Sequence, residues 1–498
     1  MNVNPITRLD YPDPDVIRVE DTYYMVSTTM HFMPGCEILQ SFDLVHWEHA
    51  TYVYETLDHT DAQQLKSGQN IYGQGMWAAS LRYHEGRFCI CFVANDTRKT
   101  YLYTSEKIDG PWKKQLIEGF YHDGSLLFDE DGRNYIVYGN DEIWITELNE
   151  DLTAPKKGGL HRLLVSDHKN PELGYEGSHI QKINGYYYIF LVHSLRDRWM
   201  RTEACFYSDS LEGEFTGGDV LCDDRGYCGQ GVAQGGIVDT PDGKWYAMLF
   251  QDSGAVGRIP ILLPVTWKDH FPVFGQNGHV PEEIEVHSTR PGYIYQPLVG
   301  SDDFCNGLLP RWQFNHDPDP RYYHLDALQG TYTITTREVC TELTQAVNTL
   351  TQRMSYPSCA AEVTVDASAL KEGDVAGLCA LQSCYAAVGI TKHHGKYEVL
   401  MLDKKEDGIL DMTEGTVVES HQMDFRLEAD FCNMKDEARC YYRVNKGDWL
   451  PIGTVHKLYF KLDHFTGCRF GLFCYAAEET GGSACFRDFK YYDVDEIS

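Results

Sequence analysis

Near its start the chain reads Tyr11-Pro12-Asp13-Pro14-Asp15, just ahead of the apolar residues 16–19. Proline cannot donate to a sheet ladder, and it restricts the residue before it to extended backbone, so Asp13 is expected to be held stiffly at a strand entrance. Asp123 in "YHDGSLLFD" and Glu176 in "YEGSHIQKI" stand in the same relation to apolar runs. Carboxyl groups held in place can give or take protons, and different environments can divide acid and base roles among them. The plain alternative for each is a polar turn or a strand-end surface acid. A second run, Asp317-Pro318-Asp319-Pro320, repeats the first in form.

What brings Asp13, Asp123 and Glu176 together is an internal repeat. A turn dipeptide followed by an aromatic-rich strand recurs five times, as "EDTYYMVST", "EGRFCICFV", "DGRNYIVYG", "NGYYYIFLV" and "DGKWYAMLF". The second turn residues fall at 21, 86, 132, 185 and 243, and four of the five are glycine, which supplies the positive φ of a tight hairpin. Repeats of 46–65 residues fit blades of about four strands, and five of them predict a five-bladed β-propeller. A first strand lies upstream of each hairpin. Aligning the hairpins puts Asp13, Ala78, Asp123, Glu176 and Gln234 at about equivalent places, with a slip of about a residue in two copies. Such positions on inner strands converge on one cavity, so three acids far apart in sequence are expected to meet there. Asp317 lies outside this frame.

Beyond "STRPGYIYQPLVGSDDF" the pattern changes to short alternating strands such as "GTYTITT", "KYEVLMLD" and "GCRFGLFCY", separated by turns as in an all-β sandwich. The expected division is residues 1–295 for the propeller and 296–498 for the sandwich.

The 498 residues carry 43 basic and 74 acidic side chains, a net charge of −31, which argues against nucleic acid or an anionic membrane as partner but leaves neutral sugars open. No run of about 18 apolar residues is present, so no membrane span is expected. The 33 Tyr, 22 Phe and 9 Trp suit pleated cores, and some suit a carbohydrate site. The 16 cysteines are scattered without a Cys-x-x-Cys pair, and no apolar signal segment is visible near the N-terminus; free thiols in a reducing cytoplasm are the expectation.

Taken in order, "YPDPDVIRVEDTYYMVST", "GMWAASLRY", "GFYHDGSLLFDEDGRNYIVYG" and "GYEGSHIQKINGYYYIF" resemble the blade motifs of glycoside hydrolase family 43. "SDDFCNGLLPRWQFNH" and "NTLTQRMSYPSCAAEVTV" resemble the concanavalin-like sandwich of its longer β-xylosidase-type members. The resemblance implies an inverting exo-glycosidase that removes terminal α-L-arabinofuranosyl or β-D-xylosyl units from hemicellulose-derived oligosaccharides. "GVAQGGIVDTPDGKWYAMLFQD" is similar to the arabinofuranosidase-rich branch. By motif, Asp13 matches the general base, Glu176 the general acid and Asp123 a third carboxylate that tunes the acid and orients substrate. Trp77 matches a pocket tryptophan, and Phe32 and Arg258 are further pocket candidates. His179 reads as packed or surface rather than catalytic. Gln234 stands where many members carry a histidine near a central ion, so neither a resident calcium nor another cofactor is expected. Two other readings are a non-catalytic sugar-binding propeller and an endo-acting arabinanase. The full acid set disfavours the first and the sandwich disfavours the second. Domains of this kind often self-associate, so a homo-oligomer is one expectation.

Overall fold

The computed structural model describes residues 3–493. Five four-stranded antiparallel sheets follow one another along the first 274 residues, each formed by consecutive strands. Their first strands are Asp15–Val19, Met76–His84, Ser125–Phe128, Glu176–Ile183 and Val232–Asp239. These strands abut one another in a closed ring and form the propeller's inner wall. The ring closes where the N-terminal segment meets blade 5: the Ile6 N–H bonds to the Pro260 carbonyl at 2.8 Å, and the Tyr11 N–H to the Arg258 carbonyl at 3.0 Å. Apolar strand faces pack between adjacent blades, as in the cluster of Val26, Ile38, Leu81, Ile90 and Phe92 between blades 1 and 2.

A polar stitch holds the ring together at one repeated position. The Asp15 carboxylate accepts the Leu81 N–H at 2.8 Å, the Ser80 hydroxyl accepts the Leu126 N–H at 3.1 Å, and the Ser125 hydroxyl accepts the Ile180 N–H at 3.0 Å. Each bond crosses from one blade to the next and satisfies a backbone donor that would otherwise be buried unpaired.

Two residues before that position the chain leaves regular strand geometry. Register shifts fall between Trp77 and Ser80, Glu176 and His179, and Ala233 and Gly236. The backbone is left-handed at Asp13 (φ 53°), Asp123 (47°), Gly177 (66°) and Gln234 (66°). Asp13 is therefore not extended, as the following Pro14 had predicted. Its carboxylate is held at both oxygens, and such strain persists where surrounding contacts over-determine it. Pairing of Asp15, Ser80, Ser125, His179 and Gly236 with the fifth residue after each turn glycine (or Asp21) fixes the repeat alignment. Gly177, not Glu176, is the true equivalent of Asp13 and Asp123; the acid of blade 4 stands one residue earlier.

After the last propeller strand, Phe271–Phe274, a connector runs to the first sandwich strand, Gln313–Phe314. The expected boundary at 295 falls inside this connector. Sheets of eight and seven strands then pack face to face over an apolar core. That core extends to Ala255, Val256 and Ile259 of blade 5, so the two domains share buried apolar surface. Polar ties cross the same interface: Arg353 pairs with Glu37 at 2.9 Å, and Asp10 accepts the Gly467 N–H at 2.8 Å. Asp317 of the second Pro-Asp run is also there, 2.6 Å from His59 Nδ1. Its role is in domain docking. No α-helix occurs among the described residues, and none of their helices is long and apolar enough to cross a membrane.

Candidate active site

At one mouth of the propeller ring lies a cavity of about 530 Å³. Its lining contains Asp13, Asp123 and Glu176 together with Trp77, Gln234 and Arg258. Six of the seven residues singled out in the sequence thus meet. Phe32 does not line the cavity. It follows the second strand of blade 1, where the chain turns into the domain interface and the Met33 N–H bonds to the Phe314 carbonyl. There the Phe32 ring is buried beneath the Arg469 guanidinium, 3.4 Å from the ring centre, and beside His31.

The three carboxyls are held differently. Asp13 accepts from Arg258 Nη1 at 3.1 Å and from the Thr28 hydroxyl at 2.5 Å, one bond on each oxygen. Glu176 Oε2 accepts from Asn140 Nδ2 at 2.7 Å and lies 3.4 Å from His122 Nε2. Asp123 Oδ2 accepts the Gly177 N–H at 3.0 Å and lies 3.6 Å from the same His122 nitrogen. His122 thus stands between two acids from different blades. The Asp123 charge, with smaller help from Glu176 and Asp13, pushes this imidazole up to about 9 against the cost of burial, so it is an imidazolium at neutral pH. Burial pushes the Asp123 carboxyl up to about 6; His122 pulls it back, and Glu176 and Asp13 add to the rise. Asp123, the third carboxylate of the resemblance, is thus a buried, weakened acid, and His122 lies between it and Glu176.

Several buried donors in the lining have no partner among the described residues: Trp77 Nε1, Arg258 Nε and Nη2, and Arg201 Nη1. Buried donors are ordinarily satisfied, so a cavity wall carrying several of them is built for a ligand rich in acceptors. Apolar surface lies beside them. The Phe465 ring, from the second domain, packs 5.4 Å from Trp77 and under the Arg258 guanidinium at 4.4 Å. Met434, Phe460 and Leu462 of that domain also reach the cavity.

Sequence reasoning missed His122, Asn140, Arg201 and Phe465. His122 adjoins Asp123 in "YHDG" and was within reach of the repeat argument. Asn140 closes the second strand of its blade. Phe465 comes from a loop of the other domain, and no local pattern marks it. Of the two readings of His179, packed or surface, the structure has the first: it is buried and meets Asp15 at 3.1 Å in the ring wall.

The sequence profile described as Glycosyl hydrolases family 43 matches residues 3–272, over half of the chain. The protein belongs to glycosyl hydrolase family 43. It is accordingly a glycoside hydrolase, and the profile described as Beta xylosidase C-terminal Concanavalin A-like domain matches residues 301–492. Among curated relatives, a "Beta-xylosidase" of Formosa agariphila is 26% identical over 99% of this chain and 89% of its own. A "Xylosidase/arabinosidase" of Butyrivibrio fibrisolvens is 24% identical over 99% of both chains. Among solved structures, a bifunctional GH43-CE protein of Bacteroides eggerthii superposes with a TM-score of 0.92 at 42% identity. That match covers 99% of this chain but 64% of the longer one.

Proposed function

We propose that this family 43 enzyme is an inverting exo-glycosidase removing terminal α-L-arabinofuranosyl or β-D-xylosyl units from short hemicellulose-derived oligosaccharides. The observation that carries the reading is the meeting of Asp13, Asp123 and Glu176, from blades 1, 3 and 4, in one cavity with several unpaired buried donors. A module that only bound sugar would not need three converging carboxyls.

Inversion requires a proton donor at the leaving oxygen and a base holding water on the opposite face of the sugar. Asp13 suits the base: Arg258 and Thr28 fix both of its oxygens, so a water on it is aimed. Glu176 suits the acid, with Asn140 orienting the carboxyl. Asp123 holds the backbone beside Glu176 and supplies part of the negative field. Trp77 offers the sugar an apolar face and an indole N–H, and Arg258 offers two further N–H groups. Gln234 packs against Gly177 and shapes the wall beside Glu176. The second-domain side chains favour a closed, terminal-sugar pocket over an endo-acting groove.

The names of the relatives, a xylosidase and a xylosidase/arabinosidase, support both sugars. All sixteen cysteines are free thiols, which supports a reducing, cytoplasmic setting and imported short substrates.

The ring wall does not suit a resident calcium ion. Arg82 Nη1 donates to Asp15 Oδ2 at 2.7 Å and Nη2 to the Ser125 hydroxyl at 2.7 Å, while Nε donates to the Leu126 carbonyl at 2.9 Å. A guanidinium thus already serves the oxygens of blades 1 and 3, and Gln234 offers no imidazole.

The test is steady-state hydrolysis of aryl α-L-arabinofuranoside and aryl β-D-xyloside, with Glu176→Gln as the blank. Turnover above the blank supports the reading, and the ratio of kcat/KM values names the preferred sugar. No turnover of either, or of the matching oligosaccharides, overturns it.

A further inference from the structure

We propose that Trp199 and Arg201 form the subsite for the leaving-group sugar, so that the enzyme selects oligosaccharides by stacking the penultimate ring on the Trp199 indole. The inference rests on the exo-glycosidase reading above and deepens it. The cavity has a buried, charged floor: Asp13, Asp123 and Arg258 are 6%, 5% and 3% exposed. Trp199 lines the same cavity but is 44% exposed, as a rim residue is. A terminal sugar seated against the floor must pass its neighbour out along this rim.

The chemistry fixes which side of the rim. The general acid protonates the oxygen that departs with the leaving group, so that group lies on the side of Glu176. Glu176 opens the first strand of blade 4; Trp199 and Arg201 stand where the second and third strands of that blade join.

The platform is rigid. The Ser194 hydroxyl donates to the Arg198 carbonyl at 3.1 Å and accepts the Met200 N–H at 2.8 Å, closing the short loop that carries Trp199. Arg201 packs 5.2 Å from the indole centre and is fixed by Asp252, whose Oδ2 accepts from its Nε at 2.8 Å. Arg201 is itself 6% exposed, and its Nη1 has no partner among the described residues. An exposed indole face beside an unpaired guanidinium N–H matches a sugar ring, with apolar C–H faces and hydroxyls at its edge.

The test compares wild type, Trp199→Ala and Trp199→Phe on a pentosyl fluoride and on the matched pentosyl-xylose disaccharide. The fluoride's leaving group is too small to reach the rim. Trp199→Ala is expected to lose about 10-fold more kcat/KM on the disaccharide than on the fluoride, mainly through KM, with Trp199→Phe recovering most of it. Equal losses on the two substrates, with the wild type active on both, overturn this inference alone. A wild type inactive on both overturns the exo-glycosidase reading and this inference with it.

Discussion

Asp123 accepts the N–H of Gly177, the residue directly after Glu176, at 3.0 Å. The third carboxyl of the site is therefore tied to the backbone that carries the proposed acid, across the gap between blades 3 and 4. This bond comes at a cost, because burial pushes Asp123 up to about 6. A carboxyl whose folded value is raised binds its proton more tightly in the native state. The penalty for ionising it is full above about pH 6 and gone below its unfolded value of 3.8. Asp123→Asn keeps an acceptor for Gly177 and removes the charge. It is expected to raise unfolding stability at pH 7.5 by up to about 3 kcal/mol and to add little at pH 4, while kcat falls. Denaturant unfolding at the two pH values checks this; a variant less stable at both contradicts it.

His122 carries the opposite sign. Its folded value, about 9, lies above the ordinary 6.5, so the stability it adds is fully present below pH 6.5 and is lost as pH rises through 9. Wild-type stability should fall across that window, and His122→Gln should flatten the fall. Unfolding free energies measured from pH 6 to pH 10 read this directly. Parallel curves for the two proteins would mean that the imidazole is not charged between its two acids.

Asp13 and Glu176 should separate by leaving group. Glu176→Gln removes proton donation and is expected to cost on the order of 10²–10⁴-fold in turnover, least for substrates whose leaving groups need no proton. Asp13→Asn removes the group that activates water, so its loss should not depend on the leaving group. A series of aryl glycosides of graded leaving-group acidity distinguishes the two. Equal sensitivity in both variants would move the acid away from Glu176.

The sequence made the propeller legible because five turn dipeptides mark the same strand, and the acids lie eight or nine residues before the second turn residue. The limit of that argument appears at blade 4. Gly177 holds the repeat position and Glu176 stands one residue ahead, because the path from inner strand to turn glycine is one residue longer in blade 3 than in blade 4, and hairpin spacing alone cannot register that difference. Asp13 was misread locally as well: its tie to Arg258 and Thr28, from elsewhere in the chain, overrides the extended preference that Pro14 imposes. Phe32 was misplaced for a similar reason. Whether an aromatic beside the propeller mouth faces substrate or sandwich depends on domain docking, which leaves no local signature. The same holds for Phe465, which enters the site from more than 200 residues beyond the last catalytic candidate in the chain.

The ring wall gives the last prediction. Arg82 reaches Asp15, Ser125 and the carbonyls of Leu126 and Ile180, so one side chain of blade 2 ties blades 1, 3 and 4. On the reading proposed above, this guanidinium takes the place a bound cation would otherwise have among the inward-facing oxygens. Activity should therefore survive prolonged EDTA treatment followed by desalting, and added calcium should not raise it. Arg82→Met should leave Asp15 buried with only the His179 imidazole and backbone as partners. It is expected to cost about 3–5 kcal/mol of stability, as breaking a buried ion pair does. Thermal unfolding of the variant with and without calcium adds a second readout. A large, calcium-reversible loss of wild-type activity on chelation would show that an ion shares the ring with Arg82 and would overturn this account.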